Sequence, residues 1–285
     1  MLNARRPTLL GDARPVRLPD ALGLGAVYRI TQGPGLDAAR SPNGIIGSAD
    51  IAAKPTLLVG FTTPRSAILD PSEWLAARVL VHEAFHIHQS GWKPYPTPQP
   101  KPMEYPRDAE NAALALLEDA VLSVPPSRPL PTAVSTLRTY LAIRAARRLR
   151  LPEADRYDRF YQYFEGTARF VEDRYVRMSG HQIADRTEDL TDGFVLLDWL
   201  ARRRGYSVGA SCGELLDSVV GPKWRTRIPE GEAQADIAAS ILGVPDAAYR
   251  ERLIAEAKAT FDYPKLLAMV QRADLPSVEG PPTGR

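Results

Sequence analysis

The segment Val81-His82-Glu83-Ala84-Phe85-His86-Ile87-His88-Gln89 places two histidines four residues apart, with a glutamate directly after the first. On an α-helix, positions four apart differ by about 40° around the axis, so both imidazoles point the same way. That separation suits two nitrogens of one tetrahedral Zn2+. Glu83, one residue after His82, lies to one side of the pair and reaches a water on the metal without being a ligand. Zinc lowers the pKa of such a water toward ~7, and the carboxylate takes its proton as the water attacks a carbonyl. The plainer reading is two helical histidines that only pack or hydrogen-bond. His88 is about 200° from His86 around the helix and faces away, as a structural residue.

A catalytic zinc takes a third protein ligand. No HExxHxxGxxH extension is present, since Gln89 stands where its glycine would. The remaining candidates are downstream carboxylates. Glu165 lies in Tyr163-Phe164-Glu165-Gly166-Thr167-Ala168-Arg169-Phe170-Val171-Glu172, a helical stretch with Phe160, Phe164, Val171 and Tyr175 as its apolar stripe. Glycine inside a helix costs roughly 1 kcal/mol relative to alanine, so Gly166 calls for a packing or site reason. With Ala168 it leaves room for a second helix to approach. Glu110 and Glu118 are rivals on NAALALLEDA, which reads as an ordinary amphipathic helix, with Glu118 on a solvated face as the plain alternative. Glu172 lies on nearly the same face as Glu165, about 10 Å along the axis. It either accepts a hydrogen bond from a ligand imidazole or forms a surface ion pair with an arginine.

HExxH followed by a helix bearing E-G-x-A resembles the gluzincin superfamily of zinc metallopeptidases, which includes aminopeptidase-N-like and thermolysin-like enzymes. The E-G-T-A-R-F-V-E run is especially similar to the aminopeptidase-N-like second element. The strict likeness covers about twenty residues, with looser helical similarity through residue 220. It implies that Glu165 is the third zinc ligand. Several gluzincins supply a Tyr or His to the oxyanion from a later helix, and by that resemblance Tyr206, in Gly205-Tyr206-Ser207-Val208-Gly209-Ala210, is the donor. Tyr157, Tyr161 and Tyr163 compete for the role. The chain departs from the family in three ways: 78 residues separate His86 from Glu165, no G-x-M-E-N element is present, and Arg169 stands four after Glu165 where the thermolysin-like pair has Asp. His181, in Ser179-Gly180-His181, reads as an exposed loop histidine, with proton donation at the cleft as the sharper alternative.

The elements that must position these residues read as follows. Residues 1–24 form an irregular arm. Residues 25–70 are a small β-rich part with runs GAVYRIT, GSADIAA and TLLVGFTT, bounded by Gly, Pro, Asn and Ser. Asp70-Pro71-Ser72-Glu73 starts a helix, with Asp70 as N-cap and Pro71 at N1; it runs through HExxH and stops near Gly91. Residues 92–106 form a proline-rich loop, expected to border the substrate cleft with Trp92, Tyr95 and Tyr105 as aromatic faces; the alternative is a surface connector. Helices are expected at 107–123, 131–149, 153–178, 184–204, 206–220, 232–242 and 246–259. The helical body spans 71–272, and 273–285 is a disordered tail. The expected architecture is one domain over 1–285, of α+β class: a mostly helical zincin-like body with a small N-terminal β-sheet.

Bulk properties narrow the function. The formal net charge of +2 gives no reason for nucleic acid or an anionic membrane as partner. No apolar run approaches the roughly 18 residues that cross a bilayer, and the N-terminus has no apolar signal core. Cys212 is the single cysteine, which excludes an intrachain disulfide or a cysteine metal cluster; it reads as a buried small hydrophobe. The expectation is a cytoplasmic zinc-dependent metallohydrolase, a peptidase acting on a peptide or related amide. The alternatives are a tailoring hydrolase for one small amide or ester, and a non-catalytic metal-binding helical protein.

Overall fold

The structure is a computed structural model of the 285-residue chain. It describes residues 14–16, 27–29, 47–51, 54–58, 72–93, 95, 98–123, 130–180 and 190–275. The chain divides into two compact units, Met1–Gly91 and Trp92–Arg285.

In the first unit, β1 (Arg14–Val16) pairs antiparallel with β2 (Val27–Arg29), and β3 (Gly47–Ile51) with β4 (Lys54–Leu58). Helix α1 (Ser72–Gln89) packs on the second ladder. The start expected at Asp70 and Pro71 lies outside the described residues. The expectation of an α+β fold with a small N-terminal β-sheet is overturned. Among the described residues the strands meet only two by two and no third joins either pair. A lone two-stranded ladder is at best marginal in water, so it is not a sheet layer on which a body can rest. Every residue whose side chain is described lies in a helix, turn or loop. The fold is mostly helical.

The second unit is built from α2 (Ala109–Leu122), α3 (Leu130–Arg150), α4 (Pro152–Tyr161), α5 (Thr167–Met178), α6 (Gly193–Asp198), α7 (Arg204–Val220), α8 (Gln234–Leu242), α9 (Ala247–Thr260) and α10 (Tyr263–Ala273). Asp108 caps α2 by accepting from the Asn111 N–H at 2.6 Å, which satisfies one orphan donor of the first turn. From Asn111 to Glu118 every residue of α2 is buried. A helix apolar on all sides belongs in a core, and α2 packs against α3, α7 and α10. Leu117, Leu137, Tyr140, Ile143, Leu197, Leu200 and Leu216 fill the centre.

Two long helices of this unit carry Glu165 and Tyr206, and each is interrupted by a π turn. The first runs Pro152–Met178 through the turn Gln162–Gly166. The second runs Gly193–Val220 through Trp199–Arg203, joining two helices that the sequence reading separated at Gly205. A 3-10 segment, Gly221–Glu230, leads on to α8. Helix α10, which the periodicity did not signal, starts with Pro264 in its first turn.

Candidate functional site

Helix α1 presents His82 buried and Glu83 and His86 half-buried. The His82 and His86 rings stand edge to face, with centroids 4.7 Å apart at 82°, as four-residue helical spacing dictates. Gln89 is buried, and its Oε1 lies 2.6 Å from His86 Nδ1. An amide oxygen only accepts, so Nδ1 carries the proton, and in the neutral ring this leaves the lone pair on Nε2. The sequence reading missed this role for Gln89, although an i,i+3 spacing from His86 is the signal for it. His88 is exposed, with its ring 5.5 Å from that of Phe85.

Glu165 sits in the π turn of the first long helix. Such turns add a residue to the helical repeat and gather at functional sites. The local hydrogen bonding shows what sustains this one. The Thr167 N–H donates to the Phe164 carbonyl, and the Thr167 hydroxyl donates to the Tyr163 carbonyl at 2.7 Å. Gln234 Nε2 in turn donates to Thr167 Oγ1 at 2.7 Å, and Gln162 Nε2 donates to the Tyr140 hydroxyl at 3.2 Å. Gly166 has ordinary helical angles, φ −65° and ψ −34°, so it is needed for space and not for its φ. A Cβ built there would lie 2.7 Å from the Gly205 carbonyl oxygen and 2.7 Å from Gly209 Cα. On α7, Gly205, Gly209 and Gly213 recur every fourth residue and receive Tyr161, Gly166 and Phe170. The expected close approach of a second helix at Gly166 is present, and the glycine ladder that receives it was the unread half.

Among the described residues, His82 and His86 on α1 and Glu165 in the π turn are the group that could hold a metal ion. The rival carboxylates are engaged elsewhere. Glu110 pairs with Arg150 at 2.8 Å. Glu118 is neither a ligand candidate nor on a solvated face. It is fully buried, and its Oε2 accepts from Arg147 Nη1 at 2.7 Å and also from Arg204. Asp158 completes a buried quartet, accepting from Arg147 Nη1 at 2.8 Å and from Arg204. Burial alone would raise the Asp158 pKa, but Arg147, Arg204 and Arg144 together hold it below its ordinary 3.8. Glu172 is buried, 3.8 Å from Arg169 Nε. Beside it, burial lifts the Asp173 carboxyl to about 6. The Arg169 guanidinium 2.7 Å away opposes that shift, and the like charge of Glu172 adds to it.

Tyr206 is half-buried in the first turn of α7. Its three competitors have another task. The hydroxyls of Tyr157, Tyr161 and Tyr163 donate to the carbonyls of Lys101, Pro100 and Lys93 at 3.2, 3.3 and 3.2 Å. Proline carbonyls accept although proline nitrogens cannot donate, so these tyrosines pin the proline-rich segment along the helix that carries Glu165. Tyr95 stacks on the same helix, with its ring centroid 4.8 Å from Tyr163 and 5.7 Å from Phe160. Cys212 is buried, and burial pushes its thiol up to about 12, which leaves it inert as a nucleophile. His181 lies outside the described residues.

No family model, no curated protein and no solved structure matches the chain. Among the described residues, no helix is long and apolar enough to cross a membrane.

Proposed function

We propose that the chain is a gluzincin-like zinc metallohydrolase that cleaves a peptide or related amide. The observation that carries this reading is the donor set: two imidazoles edge to face on one helix and a carboxylate held in a π turn, a group that could hold a metal ion. Its chemistry is that of a zinc site with two nitrogens and one oxygen, which leaves a coordination position open. The hydrogen bond from His86 Nδ1 to Gln89 agrees, since a metal-binding histidine donates from its other nitrogen.

When bound, zinc would supply a Lewis acid that polarises the scissile carbonyl and acidifies water. In this reading His82, His86 and Glu165 hold the ion. Glu83, adjacent to His82 on α1, accepts the proton of the attacking water and returns it to the leaving amine. Tyr206 donates a hydrogen bond to the oxygen on which charge develops. The proline-rich segment 92–106 borders the substrate, and its pinning supports that role by making it a wall already in place. A single, buried, unreactive thiol suits a reducing compartment, and we assign the chain to the cytoplasm on that ground.

The test is metal analysis of protein purified without added zinc, followed by three variants. One equivalent of zinc is expected, with affinity falling sharply in Glu165→Ala and unchanged in Glu110→Ala. Glu83→Gln should keep the metal and lose at least about 10²-fold in turnover on a peptide substrate. Unchanged zinc affinity in Glu165→Ala removes the ligand assignment. Wild-type turnover in Glu83→Gln removes the mechanism.

A further inference from the structure

Within the helical unit, α3, α8 and the start of α9 enclose an open cavity of ≈430 Å3. That is the size range of small-molecule sites, about 300–1,000 Å3. Leu141, Ala145 and Leu149 line one wall, with Ala239 and Val244 opposite. Leu149 and Val244 are 71% and 54% exposed, which is unusual for large aliphatic side chains that share one concavity. From Leu141 to Leu149 the wall runs eight helical residues, about 12 Å, comparable to a medium-length alkyl chain.

The charges at this cavity do not balance. Arg144 is committed to Asp155 at 2.9 Å and to the Tyr140 hydroxyl at 3.2 Å. Asp236, the carboxylate in the lining, is committed to Arg159 at 2.8 Å. Arg148 reaches only the second oxygen of the same Asp155, at 3.6 Å. Arg250 has no carboxylate partner among the described residues. Arg148, held by that one long contact, and Arg250 are thus the least engaged charges at a concavity whose remaining walls are aliphatic. A guanidinium fork fits a carboxylate in two parallel hydrogen bonds, and apolar walls favour a tail over a second polar group.

We propose that this cavity binds a medium-chain fatty carboxylate, with its alkyl chain along Leu141, Ala145 and Leu149 and its head on Arg148 and Arg250. The site is separate from the metal-binding residues and does not depend on the hydrolase reading. Calorimetric titration of the full chain with decanoate, below its micelle concentration, tests it. Saturable binding of one equivalent is expected. Affinity should fall at least tenfold in the double variant Arg148→Gln/Arg250→Gln and also in Leu149→Ser, with thermal unfolding showing that both variants fold. Decyltrimethylammonium, with the same tail and the opposite charge, should not bind. Non-saturable binding, equal affinity of the double arginine variant, or equal binding of the cationic amphiphile overturns the proposal. So does a dimer that Leu149→Ser dissolves while decanoate fails to bind, because the occupant is then a second copy of the chain.

Discussion

Gly166 and Gly209 meet backbone to backbone. A Cβ built on Gly209 would lie 2.5 Å from Gly166 Cα, and one built on Gly166 would lie 2.7 Å from Gly209 Cα. Neither contact ends on a flexible side chain that can swing away, so even a methyl group must push one helix off the other. The residue before Gly166 is Glu165, so the seat of the carboxylate is set by a contact on the opposite helix.

Gly209→Ala should therefore destabilise the protein by about 1–3 kcal/mol, the usual cost of overpacking a filled interior. Urea unfolding measures this. The same variant should weaken zinc binding, because the Glu165 turn moves with the displaced helix. A stability change near zero would mean that the two helices separate without cost.

Gln89→Leu should leave the fold intact and lower zinc affinity by about 10–100-fold, the usual effect of losing the partner that orients a ligand imidazole. Competition against a chromophoric chelator reads this directly, without a substrate. Gln89→Glu keeps an acceptor and should restore most of the affinity. Equal affinities in all three proteins would show that the 2.6 Å contact does not orient His86 for a metal.

Glu118→Gln should cost roughly 3 kcal/mol or more, because it leaves Arg147 and Arg204 facing a single buried carboxylate, Asp158. Glu110→Gln breaks only a half-exposed pair with Arg150 and should cost less than about 1 kcal/mol. Similar losses in the two variants, measured by denaturant unfolding, would contradict the central role given to the quartet.

Asp173 links stability to pH in the direction opposite to most carboxylates. Burial raises its folded pKa to about 6 from an ordinary 3.8. Between those values the folded state holds more protons than the unfolded state, so its contribution falls as pH rises from about 4 to about 6. Asp158 acts the other way: its folded pKa is depressed, so its contribution is present above pH 4 and is lost as pH falls below that. Unfolding midpoints of Asp173→Asn should decline less than those of the wild type between pH 4 and 6, the remainder coming from the buried Glu214 carboxyl, and keep the loss below pH 4. An unchanged slope between pH 4 and 6 would remove Asp173 as its source.

What the sequence exposed and what it hid follow from the range of each interaction. That His82 and His86 share one side of a helix was legible because four-residue spacing fixes their geometry locally. The close helix approach beside Glu165 was legible through Gly166, whose presence inside a helix demanded a reason. Glu118 was misread because its partners, Arg147 and Arg204, lie 29 and 86 residues away, and a local window shows only a charge among alanines and leucines. Gly205 was read as a break between helices because glycine disfavours them; its spacing to Gly209 and Gly213 was the better guide. The N-terminal runs of β-branched residues favour extended chain, but propensity does not supply the additional strands that make a sheet.

The π turn at Gln162–Gly166 can also be viewed as an insertion. It amounts to one extra residue wedged into an α-helix, and an α-helix turns about 100° per residue. Deleting one residue from the turn would restore a regular repeat and swing everything before it by that angle relative to everything after it. Thr167 and Phe170 could then stay against Gln234 and Gly213 only if Tyr157, Tyr161 and Tyr163 lost their carbonyls on the proline-rich segment. That one residue keeps two sets of contacts in phase, and Glu165 sits at the point where they change over.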